Sequence, residues 1–190
     1  MAKKKTEFCC PEREKLQNFS DLLFGLSYSY MGDLDCMAYL SEEPLSFADR
    51  FMGRKVKLDV GDKWGVNVFD CAWFHITGKI PEGADTFIVN NGGEGLVYDR
   101  NGNEVQAITC KASGFDNALG GPVKRIIPLY DCIVDGDNID LWIDCAANDL
   151  FGNLQNDGRL VELHVAKHNK NIRDLAYDVQ VLLTVLDDGE

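Results

Sequence analysis

Ile139-Asp140-Leu141-Trp142-Ile143-Asp144-Cys145 decides the fold. Ile139, Leu141, Ile143 and Cys145 share one parity, and Asp140, Trp142 and Asp144 take the other. A period of two is that of a strand with one buried face. The same pattern recurs outward in both directions. Val56, Leu58 and Val60 alternate with Lys55, Lys57 and Asp59; Phe74, Ile76 and Ile80 oppose His75, Thr77 and Lys79; Leu163 and Val165 oppose Glu162, His164 and Ala166.

Turn signals divide these runs at short intervals: Pro81-Glu82-Gly83, Asn91-Gly92-Gly93, Asn101-Gly102, Gly120-Gly121-Pro122, Asp135-Gly136-Asp137 and Asn156-Asp157-Gly158. Asp99-Arg100-Asn101-Gly102 between apolar runs is a hairpin signature, since Asn-Gly accepts positive φ cheaply. About eight short strands with such spacing predict an antiparallel β-sandwich. No crossover helix separates the strands, which disfavours a parallel sheet.

Outside Lys55–Lys167 the period changes. Leu16, Phe19, Leu23 and Leu26 form a helical stripe over Glu12–Leu26, with Pro11 suited to its first turn. Ile172, Leu175, Val179, Leu182, Leu183 and Leu186 form a second, with Asn169 or Asn171 able to cap it. The stretch from Met31 to Gly53 reads as loop-rich. The organisation expected is therefore a helix and loop segment over 1–53, a β-sandwich over 54–168 and a linking helix over 169–190. An amphipathic helix closing the chain suggests that the polypeptide continues beyond it.

The formal net charge of −12 over 190 residues argues against a nucleic-acid partner. The dense basic run, Lys3-Lys4-Lys5, reads as a solvated terminus. No apolar stretch approaches the ~20 residues that span a bilayer, and no secretory segment follows the lysines, so the chain reads as cytoplasmic. Its seven cysteines, Cys9, Cys10, Cys36, Cys71, Cys110, Cys132 and Cys145, are then thiols. No C-x-x-C pair supports a zinc site.

The residues of possible chemistry are few. His164 and His168 have H-x-x-x-H spacing, but their segment alternates as a strand, so the rings do not converge as zinc ligands. Glu94, in Gly92-Gly93-Glu94-Gly95, reads as a flexible-loop carboxylate able to meet a sugar hydroxyl or act as a general acid, or simply to bond nearby backbone. Those glycines join strand to strand and form no phosphate loop. Asp135, Asp137 and Asp140 lack EF-hand spacing. Trp64, Trp73 and Trp142 are sugar-stacking candidates, because an indole offers an apolar face with a polar tip. Trp73 and Trp142 lie opposite the aliphatic parity, facing a ligand, a neighbouring domain or a covering helix. No catalytic, cofactor-binding or metal-binding residue emerges.

Five segments, in order, resemble the region preceding the catalytic domain in glycoside hydrolase family 38 α-mannosidases of the bacterial and cytosolic or vacuolar type. They are Asp59-Val60-Gly61-Asp62-Lys63-Trp64-Gly65; Trp73-Phe74 with Gly78-Lys79-Ile80-Pro81-Glu82-Gly83; Gly92-Gly93-Glu94-Gly95-Leu96-Val97-Tyr98-Asp99 with Asn101-Gly102; Ala147-Asn148-Asp149-Leu150-Phe151-Gly152; and Ile172-Arg173-Asp174-Leu175-Ala176-Tyr177-Asp178-Val179. The resemblance covers roughly Lys57–Leu186. It implies a sandwich of galactose-binding or jelly-roll type, cut off before the catalytic domain of a retaining exo-α-mannosidase. The catalytic zinc and the aspartate nucleophile are expected in that following domain, since no matching position exists here.

The resemblance thus implies a non-catalytic domain whose partner is its own catalytic domain, with α-mannosides as the parent's substrate. Such a domain should expose an apolar docking patch and can self-associate through it. Two rivals stand beside this reading: a freestanding carbohydrate-binding sandwich using Trp73 and Trp142, and a self-sufficient hydrolase needing two convergent carboxylates or a zinc site.

Overall fold

The computed structural model describes residues 11–110, 124–132, 136–149 and 151–188. Lys3-Lys4-Lys5, Cys9, Cys10, Gly120-Gly121-Pro122, Asp135 and Leu150 lie outside them. In chain order come α1 (Pro11–Leu26), β1 (Tyr28–Asp33), β2 (Asp35–Ser41), β3 (Arg54–Leu58), β4 (Cys71–Lys79), β5 (Thr86–Asn90), β6 (Glu94–Asp99), β7 (Glu104–Thr109), β8 (Ile126–Pro128), β9 (Asn138–Ala146), β10 (Glu162–His168) and α2 (Lys170–Asp188). The chain divides into two compact units, Tyr30–His168 and a helical unit of Met1–Ser29 with Asn169–Glu190.

The strands form two sheets, one of four strands in the order β1-β10-β5-β8 and one of six in the order β3-β2-β4-β9-β6-β7. Antiparallel pairing sets the register: Phe74 lies opposite Ile143 and Ile76 opposite Leu141, while Leu163 lies opposite Val89 and Val165 opposite Phe87. One face of each sheet is thereby apolar, and these faces form the main core, with Phe74, Ile76, Val97, Leu141 and Ile143 meeting Phe87, Val89, Ile127, Leu163 and Val165. The expected mainly-β antiparallel sandwich is the fold observed.

Three features differ from the sequence expectation. β1 and β2 occupy part of the helix-and-loop segment, and β2 is an interior strand of the six-stranded sheet. Both of its faces are covered, so the apolar–polar alternation that marks a half-buried strand is missing. The helical stripes are also rotated. α1 and α2 bury Leu23, Ala176, Val179 and Leu183 against each other, with Leu16, Phe24 and Ile172 beside them. Phe19, Leu26, Leu175, Leu182 and Leu186, assigned to the stripes from sequence, are exposed. Asn169 precedes the first residue of α2, and its carbonyl accepts the Arg173 N–H at 3.0 Å. Its side-chain amide, however, donates to Leu26 O at 2.8 Å and Ser29 Oγ at 2.9 Å instead of capping.

Candidate functional site

The outer face of the six-stranded sheet carries the residues of the second parity. Strand register aligns Met37, His75, Trp142 and Tyr98 in one row, and Tyr39, Trp73, Asp144 and Leu96 in the next. A face this apolar needs cover. The chain supplies it from residues 42–53, whose Leu45 and Phe47 pack on Tyr39, Trp73 and Trp142. Phe51 meets Trp142 edge-on with ring centres 5.0 Å apart, and Phe47 meets Trp73 edge-on at 5.6 Å. Trp73 Nε1 donates to Leu45 O at 2.9 Å. The Arg50 guanidinium lies 3.8 Å from the Phe47 ring centre and 4.5 Å from that of Trp142, as cation–π contacts require.

Trp73 and Trp142 are thus 2% and 3% exposed. Neither offers a face to a sugar, and their cover is a loop of the same unit that ends in a single 3-10 turn, Arg50–Met52. Beside them the His75 ring stacks on Trp142 at 4.2 Å, and its Nε2 lies 2.9 Å from Asp140 Oδ1. Asp144 was not singled out from sequence, where it merely shared the polar parity. It is half-buried in this row, and desolvation raises its pKa above the ordinary carboxylate value.

Glu94 lies on strand β6, correcting the flexible-loop reading. Its register partners are Thr109 and Ala146, and its Oε1 accepts the Thr109 hydroxyl at 2.6 Å. Trp64 belongs to the inter-sheet core at 4% exposure. Its ring meets Phe74 edge-on at 5.1 Å, and its Nε1 donates to Asn91 O at 2.7 Å. Trp64, Glu94, Trp73 and Trp142 therefore do not converge on one open surface. His164, within strand β10, lies 3.9 Å from Glu162 and 5.5 Å from the Tyr30 ring centre. Among the described residues no three His, Cys, Asp or Glu side chains are placed to hold a metal ion.

What does converge is a set of loops at one end of the sandwich, assembled by backbone hydrogen bonds. Trp64 N and Gly65 N both donate to Gly158 O, Glu94 N donates to Asn148 O, and Ala147 N donates to Asp70 O. These approaches are close enough to require glycine. A Cβ on Gly93 would sit 2.0 Å from Ala146 O, and one on Gly158, where φ is +65°, would sit 2.0 Å from Gly65 O. The Asp149 carboxylate, fully buried, accepts from Phe151 N and Asn153 N at 2.9 Å each and from Gln155 Nε2 at 2.9 Å.

This framework displays apolar side chains outward. Val66 is 65% exposed, Phe69 63% and Phe151 59%, with Val68 beside them. Phe69 has φ of +71°, a left-handed backbone that costs an aromatic residue about 1–2 kcal/mol. A Cβ on Gly152 would lie 3.4 Å from the Phe69 ring, so the two apolar loops adjoin. Contiguous exposed apolar surface of this kind marks interaction sites.

No curated protein matches the chain in sequence. Residues 33–171 match the family model described as alpha-mannosidase, jelly roll domain. That span takes in the whole of the six-stranded sheet and the loop end just described. With most of its length inside the match, the chain belongs to the alpha-mannosidase jelly roll domain family.

Proposed function

We infer that this domain is the non-catalytic N-terminal jelly roll of a family 38 α-mannosidase and packs on that enzyme's catalytic domain through its loop end. The observation that carries the reading is the exposed Val66, Phe69 and Phe151 on a hydrogen-bonded loop framework. Three of the five segments resembling the family meet there: those around Trp64, Glu94 and Asp149. The reacting groups, a zinc ion and an aspartate nucleophile that cleave terminal α-mannosides with retention, belong to the catalytic domain. Carbohydrate metabolism in the cytoplasm is the expected setting, and buried Cys36, Cys71, Cys132 and Cys145 suit a reducing compartment. Exposed Leu22, Leu182 and Val185 on the helical unit offer a second apolar surface through which the parent can oligomerise.

The test starts with the native gene product. A polypeptide well above 21.2 kDa that releases aryl alcohol from an aryl α-mannoside is expected. Supplied as a separate chain with the remainder of that product, this domain should associate, and Val66→Asp with Phe151→Asp should abolish association. A native product of 21.2 kDa, or association indifferent to the double variant, would sink the reading. A freestanding module stacking sugars on Trp73 and Trp142 is disfavoured by the cover over both indoles.

A further inference from the structure

An open cleft of ≈ 440 Å³ lies at the edge of the six-stranded sheet, between the ends of β2 and β3 and the 64–71 loop. Arg54, Glu42, Ser41 and Asn67 line it with polar groups, and Leu40 and Val66 add apolar surface. Its size falls within the range of about 300–1,000 Å³ typical of small-molecule sites. Among the described residues, the Arg54 guanidinium, the Glu42 carboxylate and the Ser41 hydroxyl make no hydrogen bond or ion pair to another side chain. Five N–H donors, a two-oxygen acceptor and a hydroxyl are thus unspent on one concave surface.

The opposite wall is fixed in advance. The Asp70 carboxylate accepts Val66 N at 2.8 Å and Asn67 N at 2.9 Å, which ties down the loop carrying both residues. Burial opposes ionisation of Asp70, but these hydrogen bonds outweigh it and hold its pKa below the ordinary carboxylate value. The wall therefore stays charged and shaped at neutral pH. Such preorganisation lowers the ordering cost of binding.

We propose that this cleft binds one pyranose ring, taking a vicinal diol between Arg54 and Glu42, with Asn67 on a neighbouring hydroxyl. Charge selects the ligand class. Arg54 shares the cleft lining with two carboxylates, Glu42 and Asp70, and the whole chain carries −12. An anion such as phosphate is repelled there, whereas a neutral ring with paired donors and acceptors finds matching groups and an apolar strip. The choice of an α-mannoside among pyranoses rests on the function proposed above. Val66 belongs to both the cleft and the docking patch, which places the sugar at the edge of the interface with the catalytic domain. It would serve there as a holding point for a sugar remote from the reacting bond.

The test is a titration of the isotope-labelled chain followed by ¹H–¹⁵N NMR, with methyl α-D-mannopyranoside, methyl α-D-glucopyranoside and inorganic phosphate as separate ligands. Mannoside should shift the Asn67 side-chain amide and the backbone amides of residues 66–70 with millimolar affinity, and phosphate should not. Arg54→Ala should weaken binding about tenfold or more, the usual consequence of losing a charged hydrogen-bond donor. Its unfolding midpoint should stay unchanged, because the side chain is exposed and unpaired. No shift at about 50 mM mannoside, where even weak millimolar binding would saturate, overturns the proposal. Equal affinity in Arg54→Ala, or stronger binding of phosphate, does the same. Equal binding of both glycosides keeps the cleft as a pyranose site but counts against the mannoside assignment. A flat titration beside intact domain association removes the cleft alone, so the two readings fail separately.

Discussion

Trp64→Phe tests whether the loop end is built on a buried indole or merely decorated by one. The substitution keeps an aromatic ring against Phe74, whose edge contact spans 5.1 Å. It deletes the Nε1–H donated to Asn91 O at 2.7 Å. Removing the donor from a buried carbonyl costs about 1–3 kcal/mol. The smaller ring leaves a void of roughly 40 Å³, which at about 24 cal/mol per Å³ adds about 1 kcal/mol. The expected loss is therefore about 2–4 kcal/mol. Urea unfolding followed by far-ultraviolet circular dichroism reads it as a midpoint lower by about 1–2 M, given a slope near 2 kcal/mol/M. The slope itself should not change. A loss under about 1 kcal/mol would refute the reasoning, because water or another donor would then be satisfying Asn91. A sugar-stacking role would instead predict little change in stability and a loss of sugar affinity.

Gly158→Ala should destabilise severely, by about 3 kcal/mol or more, because its Cβ would meet Gly65 O at 2.0 Å. Gly61→Ala, at φ +99° with open space around it, should cost only the backbone term of about 1–2 kcal/mol; equal losses on denaturant unfolding would show that packing at Gly158 relaxes. Burial alone would raise the Asp99 pKa, but hydrogen bonds from Asn103 and Asn101 outweigh it and leave it lowered. The stability it contributes is therefore full above the unfolded carboxylate value near 4 and is lost as pH falls through the lower folded value. Asp99→Asn should accordingly destabilise at pH 7 by about 1.5–3 kcal/mol, with the gap to the parent closing below pH about 4; a gap independent of pH would refute it. Phe69→Gly should leave the isolated chain as stable or raise it by up to about 1 kcal/mol, strain relief offsetting glycine entropy. It should also weaken docking; a clear loss of stability would mean that the ring is packed inward.

The sandwich was legible because strands β4, β9 and β10 each have one inner face, and period two survives wherever one face is apolar. Strand β2 failed this test. Cys36 and Ala38 face the inner core while Met37 and Tyr39 meet the aromatic cover, so no parity is polar. The parity of Trp73 and Trp142 was read correctly, but the identity of what covers them was not. Their cover is Leu45, Phe47 and Phe51, on a loop and one short 3-10 turn (Arg50–Met52) too brief to show a period, brought over the sheet by tertiary structure. The helices show the same limit. Leu175, Leu182 and Leu186 fit a stripe as well as Ile172, Ala176, Val179 and Leu183 do, and only the position of α1 decides which is buried. Arg54 and Asn67 carried no signal, because a cleft between a strand end and a loop joins residues with no sequence pattern in common.

The Gly92-Gly93-Glu94-Gly95 segment bears on how function is divided within this domain. Gly-rich loops invite a ligand reading because they let backbone approach another group closely. Here the group approached is the protein's own backbone: Arg159 O lies 2.2 Å from where a Gly92 Cβ would be, and Ala146 O lies 2.0 Å from that of Gly93. Asn91 completes the joint, with its side chain donating to Glu94 O and its carbonyl accepting from Trp64. This segment, one of those that resemble the family, therefore helps hold the loop end together. The side chains left exposed are ones this frame carries outward, Val66, Phe69 and Phe151, and these are the groups on which the proposed docking rests. Rigidity of the frame is what makes them usable, because exposed groups on fixed backbone bind without first bearing the cost of being ordered.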